Sequence, residues 1–172
     1  MEDQITITVK RAKDLLGQKK FLAKIAELGV EIKLADNNVN LTSENAINIS
    51  LVKNAIMAFN RGFDPKTSLL LLDDNYDLSI MNIGDYANSQ KRQIELMGRV
   101  IGSRGMIKKR LSMATSCYIK ISGKTISIIG AYENIELAVS AVEMLLNGAK
   151  HDSVFLLIDR RKLEKYENGR YS

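Results

Sequence analysis

The sequence predicts an α+β fold in which one structural unit occurs twice along the chain. Two glycine turns mark the copies, Gly17-Gln18-Lys19-Lys20 and Gly102-Ser103-Arg104-Gly105. An alternating apolar run begins 13 residues after Gly17 and 15 residues after Gly102, and a long amphipathic segment closes at a glycine 45 and 46 residues after them. The same features at nearly equal offsets indicate two copies of about 85 residues each.

The first copy is predicted to run strand, helix, glycine turn, helix, strand, strand, helix. Period-two alternation predicts the strands, and 3.6-residue spacing predicts the helices, with Gly29 placed to end the second of them. These patterns are carried in order by Ile5, Ile7 and Val9; Ala12, Leu15 and Leu16; Phe21, Leu22, Ile25 and Leu28; Val30, Ile32 and Leu34; Val39 and Leu41; and Ile49, Val52, Ile56 and Phe59.

The second copy repeats this order from a strand that contains Leu78 and Ile80. The helix that enters its turn is expected to present Ile94, Met97 and Ile101 on its apolar face. The later patterns comprise Ile107, Leu111 and Ala114; Cys117, Ile119 and Ile121; Ile126 and Ile128; and Ile135, Ala138, Val139, Val142, Leu145 and Leu146. The closing helix has the clearest stripe in the chain.

Two further helices complete the organisation. Asp64-Pro65 is an N-cap followed by a first-turn proline, which predicts a short helix from Pro65 to Leu72. Asp152 or Ser153 is expected to cap a last helix with Val154, Leu157 and Ile158 turned inward. The predicted division is a first domain at 1–63, a helical linker at 64–76, a second domain at 77–149, and a C-terminal helix and tail at 150–172.

Composition excludes several classes of protein. The 172 residues are 45% hydrophobic and 26% charged, as in soluble globular chains, and no apolar run is long enough to span a bilayer. Met1-Glu2-Asp3 lacks the features of a signal peptide. The single cysteine, Cys117, excludes an intramolecular disulfide and a cysteine-based zinc cage. We expect a cytoplasmic protein, without cofactor, metal or membrane contact.

The positive charge is confined to the second half of the chain. Residues 1–75 hold ten basic and ten acidic side chains, whereas residues 76–172 hold fifteen and ten, which accounts for the net charge of +5. Within residues 91–124, nine basic residues accompany one acid, Glu95. A block of this density is either a solvated face or a surface that binds a polyanion such as RNA.

The turn Gly102-Ser103-Arg104-Gly105 has the residue types that a phosphate site needs. Glycines at the first and fourth positions let the backbone approach a phosphate closely, and the following helix offers free N–H groups. Ser103 and Arg104 add a hydroxyl and a guanidinium suited to phosphate oxygens. A bare GxxG is a weak signal, but basic residues on both sides and the helix, strand, strand, helix order strengthen it.

These residues resemble the type I KH domain, whose GXXG loop clamps a four-nucleotide single strand. The wider sequence is similar to the tandem-KH small-subunit ribosome-assembly factors of archaea and eukaryotes, the Dim-two or partner-of-Nob family. The matching residues are Val100-Ile101-Gly102-Ser103-Arg104-Gly105 with Leu111, Thr115, Ile119 and Ile121; Asn60-Arg61-Gly62-Phe63-Asp64-Pro65; Leu71-Leu72-Asp73-Asp74 with Tyr76; Gly123-Lys124-Thr125 with Ile128-Ile129-Gly130; and Glu143-Met144-Leu145-Leu146-Asn147-Gly148.

The resemblance implies two βααββα domains, each a three-stranded sheet with helices on one face. It also implies a monomer that binds the 3′ region of small-subunit ribosomal RNA beside the Nob endonuclease and the rRNA dimethyltransferase. The first turn lacks its second glycine, so we interpret that copy as a degenerate KH domain used for packing or protein contact. Ser116 replaces the glycine that usually follows the threonine of the motif, a change expected to affect a helix end more than the clamp.

The predicted RNA-binding residues cluster around the second turn. The loop and the next helix should hold the sugar-phosphate backbone, while apolar side chains floor a groove for bases. The set is Arg99, Val100, Ile101, Gly102, Ser103, Arg104, Gly105, Ile107, Lys108, Lys109, Ile119 and Lys124, with Arg160, Arg161 and Lys162 as further phosphate contacts. Core packing is the alternative role of Ile107 and Ile119.

Two other functions compete with RNA binding. A protein-interaction adaptor would use the basic face to dock an acidic partner. A nuclease is disfavoured, because the sequence has no convergent set of His, Asp and Glu residues. His151, the only histidine, is predicted to mark a helix start or to contact RNA.

Overall fold

The computed structural model describes residues 3–10 and 12–169. Its contacts divide the chain into two units, Met1–Leu78 and Ser79–Ser172. Each three-stranded sheet occurs with helices in the order strand, helix, helix, strand, strand, helix, which confirms the predicted α+β fold with two copies. The finer division, with a separate linker at 64–76, stays a prediction.

The first sheet has its last strand in the middle. It contains β1 (Asp3–Thr8), β2 (Glu31–Ala35) and β3 (Asn38–Ser43) in the order β1-β3-β2, and both pairings are antiparallel. The helices are α1 (Ala12–Leu16), α2 (Lys19–Glu27) and α3 (Ala46–Asn60). Val39 and Leu41 of β3 are fully buried, and so are Val52 and Ile56 of α3. The alternating residues of the sequence therefore form the core of this unit.

A capped turn leads out of α3. The side chain of Asp64 accepts hydrogen bonds from the Thr67 hydroxyl at 2.6 Å and the Thr67 amide at 3.0 Å, and these bonds lower the pKa of the Asp64 carboxyl. Helix α4 (Pro65–Ser68) follows the cap, and a 3-10 turn covers Leu69–Leu72. The predicted cap is confirmed, but the predicted helix to Leu72 tightens after one turn.

The second copy has the same strand order. It contains β4 (Tyr76–Asn82), α5 (Gln90–Ile101), α6 (Met106–Thr115), β5 (Tyr118–Ser122), β6 (Thr125–Ala131), α7 (Tyr132–Leu146) and α8 (His151–Gly169), with 3-10 turns at Ile83–Asp85 and Ser103–Gly105. The sheet order is β4-β6-β5, and β5 pairs antiparallel with β6. Ser116 ends α6 in the left-handed conformation, at φ 54°, so this substituted glycine position is indeed a helix end.

The predicted inward face of α5 is wrong. Leu96 and Val100 are buried in the core, whereas Ile94 is 58% exposed and Ile101 is 36% exposed. Both sets have helical spacing, so periodicity alone does not choose between them. The structure leaves the second apolar stripe at the surface, directly before the glycine turn.

Helix α8 begins earlier than predicted. The Val154 amide donates to the Lys150 carbonyl at 3.2 Å, so the helix starts at His151 and not after a cap at Asp152 or Ser153. Val154 and Ile158 are buried as predicted, and Phe155 is an additional core residue. Within residues 3–10 and 12–169, no helix is long and apolar enough to cross a membrane, and no three His, Cys, Asp or Glu side chains form a potential metal site.

Candidate nucleic-acid interface

The second turn has an unusual backbone. Gly102 lies at φ 71°, ψ 174°, Arg104 at φ 51°, ψ 28°, and Gly105 at φ 75°, ψ 12°. A Cβ on Gly102 would collide with the Ile107 side chain and lie 2.9 Å from the Ile107 amide nitrogen. A Cβ on Gly105 would have no atom within 4 Å. Packing and backbone geometry therefore require glycine at 102, whereas the space in front of Gly105 is open to a ligand.

The N-terminus of α6 lies at this open space. Its N-cap, Gly105, has no side chain to accept from the helix amides, and its first turn holds no acid. Lys108 and Lys109 stand in the first two turns instead. Cations at a helix N-terminus are disfavoured by the dipole by about 0.3–1 kcal/mol each. The combination of uncapped amides and lysines is one that a bound anion stabilises.

Apolar surface borders the turn on both sides. Ile94 and Ile101 are seven residues apart on the exposed side of α5, and Met106, directly after Gly105, is 63% exposed. Ile107 is half-buried next to Gly102. Ile94 and Met106 are absent from the predicted set. The signal for Ile94 was available, because a helix with two apolar stripes cannot bury both.

Most of the predicted polar residues reach the surface. Ser103, Arg104, Lys109 and Lys124 are exposed, and Lys108 is half-buried. Arg160, Arg161 and Lys162 are exposed on α8. Val100, in contrast, is fully buried among Leu96, Leu111 and the sheet residues, and Ile119 is only 6% exposed. Val100 therefore packs in the core and does not face a base, which corrects its predicted role.

Arg99 also has a different environment from the predicted one. Its Nε donates to the Leu145 carbonyl at 3.1 Å, and its Nη2 donates to the Ala149 carbonyl. These carbonyls lie at and just beyond the end of α7. The guanidinium is thus directed to a helix C-terminus within the protein and not to a phosphate position. His151 marks the start of α8, which agrees with one of its two predicted roles, and contacts the Arg99 carbonyl.

The first turn lacks the geometry of the second. Only Gly17 and Gln18 separate α1 from α2, whereas four residues separate α5 from α6. None of the four residues from Gly17 to Lys20 has a positive φ, and a Cβ on Gly17 would lie 3.4 Å from the Asp14 carbonyl oxygen, an ordinary contact. The two missing residues account for the offset of 13 against 15. This turn does not form a four-residue phosphate loop.

Comparisons with known proteins give a consistent result. Residues 77–163 match the family model of the eukaryotic type KH domain, KH-domain type I, of the PNO1 second-domain group. A KH domain-containing protein of Methanocaldococcus jannaschii is 32% identical over 164 residues, which are 91% of this chain and 72% of the relative.

Two crystal structures from Pyrococcus horikoshii OT3 resemble the whole chain. The first is a complex of a/eIF2alpha, aDim2p and rRNA, in which the matching chain is 26% identical with a TM-score of 0.84, over 95% of this chain and 96% of that one. The second is Dim2p, 27% identical with a TM-score of 0.79, over 93% of this chain and 99% of that one.

Proposed function

Since the chain belongs to the type I KH-domain family that includes archaeal Dim2p, we propose that it is an RNA-binding ribosome-assembly factor. It holds single-stranded RNA at the loop Gly102–Gly105. The open space in front of Gly105, next to the uncapped N-terminus of α6, is the observation that carries this proposal. A phosphate in that space accepts from backbone amides and is neutralised by nearby cations.

The bases would lie along the apolar surface that borders the loop. Ile101, Met106 and Ile107 provide contact without hydrogen-bond direction, so they favour stacked or splayed bases of any identity. Sequence preference then depends on polar groups at the edges of the groove. Because the sheet supplies no aromatic platform comparable to that of an RRM, a single strand in a groove is the mode that this surface supports.

The proposed target is the 3′ region of small-subunit rRNA, with the Nob-type endonuclease and the rRNA dimethyltransferase acting beside it. The family resemblance supports this choice, as does the rRNA in the similar P. horikoshii complex. Cross-linking the protein to cellular RNA and sequencing the attached fragments tests it. Fragments from the 3′ end of small-subunit rRNA are expected, and an even spread over cellular RNA would contradict the target.

The lysines after the loop give the proposal a quantitative test. Replacing both Lys108 and Lys109 with Gln is expected to weaken binding and to lower the slope of log K against log salt by about 0.7 for each phosphate that is no longer neutralised. Lys19→Gln with Lys20→Gln is the matched control, because it removes the same charge at the first turn. Fluorescence titration over a range of salt measures both slopes. An equal change in both double variants would remove Lys108 and Lys109 from the RNA footprint.

The alternative function is a protein-interaction adaptor whose basic face docks an acidic partner. The excess charge of the second half supports it as well as it supports RNA binding. The loop separates the two, because an acidic protein surface does not need open space at Gly105. A partner that stays bound after nuclease treatment and tolerates Gly105→Asp would favour the adaptor. Turnover of labelled RNA with added divalent metal would point to an enzyme instead.

A further inference from the structure

Three helix ends meet behind the loop and cap one another. Arg99 lies in the last turn of α5, three residues before Gly102, and its guanidinium donates to carbonyls at the end of α7 and at Ala149. The last four carbonyls of a helix have no partner within it. The Arg99 side chain thus supplies from α5 the hydrogen bonds that the end of α7 lacks.

The end of α5 is capped in return from α8. The Nε2 of His151, the first residue of α8, lies 3.0 Å from the Arg99 carbonyl oxygen. A carbonyl can only accept, so Nε2 carries the proton and donates. This carbonyl has no amide of a continuing helix to bond, because α5 ends at Ile101 and the chain turns at Gly102. Without His151 the carbonyl that precedes the loop would lack this donor.

The helix that leaves the loop is also attached to α8. The Arg110 guanidinium of α6 lies 3.7 Å from the ring centroid of Phe155, one turn along α8 from His151. Phe155 itself is buried in the core of the second unit. A cation over an aromatic face is attractive. Both helices that flank the loop are therefore held by the first two turns of α8.

We infer that Arg99 and His151 are positioning residues that fix the end of α5 and so hold the loop Gly102–Gly105 in its binding conformation. The inference rests on the proposed function, because it assigns Arg99 a role behind the loop and not on the RNA. Loop residues with positive φ are strained unless their surroundings fix them. If only a fraction of the molecules holds the competent loop, the apparent Kd rises by the inverse of that fraction.

The first test needs no RNA. Arg99→Met removes the donors and keeps an apolar stem, and His151→Leu removes the other donor. Each is expected to speed amide hydrogen exchange at residues 102–105 of the free protein by about tenfold, the effect of one missing hydrogen bond. His151→Gln, which retains an N–H donor, is expected to restore slow exchange. Unchanged exchange at the loop in Arg99→Met and His151→Leu would overturn the inference.

The second test uses a single-stranded RNA oligonucleotide at several salt concentrations. Arg99→Met is expected to raise Kd about tenfold at every salt concentration with an unchanged slope, because the RNA phosphates keep all their cations. A slope lower by about 0.7 would make Arg99 a phosphate ligand and overturn the inference. If Arg99→Met does not fold, the His151→Leu and His151→Gln pair decides. Failure of the wild-type protein to bind RNA would refute the proposed function, while faster loop exchange would still support the positioning role.

Discussion

Gly105→Asp is expected to abolish binding of single-stranded RNA while the second unit stays folded. The added carboxylate enters the open space in front of the loop, where the proposed phosphate lies. Two like charges about 4 Å apart repel by about 4 kcal/mol at an effective dielectric constant of about 20, which corresponds to a Kd on the order of a thousandfold higher. The conformation at φ 75°, ψ 12° is one that Asp adopts more readily than most residues. Fluorescence anisotropy measures the affinity, and circular dichroism measures the folded fraction.

Gly105→Asn is the matched control, because it has nearly the same size and the same tolerance of positive φ but no charge. It is expected to weaken binding far less than Gly105→Asp. An equal loss in both variants would show that any side chain blocks the loop by volume, and unchanged binding in both would remove the loop from the RNA site.

The second large effect is on stability. Gly102→Ala is expected to lower the free energy of unfolding of the second unit by about 3 kcal/mol, because the new Cβ meets Ile107 and the backbone lies in a region that favours glycine. Gly17→Ala in the first turn should change stability by no more than about 1 kcal/mol, since its Cβ makes only an ordinary contact.

Amide hydrogen exchange reports on each unit separately, which matters because one unfolding transition for the whole chain is not assured. Loss of protection in α5 and β6 is expected for Gly102→Ala, with the first unit unaffected. Similar losses for the two glycine variants, each in its own unit, would show that the two turns are under the same constraint after all.

Local patterns were sufficient to predict much of the fold. The alternating Val39 and Leu41 and the stripe of α3 became buried elements, and Asp64 became the cap that its sequence context indicates. These signals depend on neighbours within a few residues, so a single chain contains them in full. The strand order, with the last strand central in each sheet, entered through the family resemblance.

Tertiary contacts decided what periodicity could not. Leu96 and Ile94 both fit an apolar stripe on α5, and only packing against α6 and the sheet selects Leu96 for the core. Arg99 stands beside a phosphate motif in the sequence, but its partners are carbonyls 46 and 50 residues away. A basic residue next to a loop is therefore assigned to it correctly only when its other possible partners are known.

The central claim is that the second unit holds RNA at its loop and that the first turn does not. The most direct measurement is a titration of the isotope-labelled protein with a single-stranded oligonucleotide from the 3′ end of small-subunit rRNA, followed by amide chemical shifts. We expect shift changes concentrated at residues 101–109 and none at residues 17–20. Changes concentrated at residues 17–20, or binding without any change at residues 102–105, would contradict this claim.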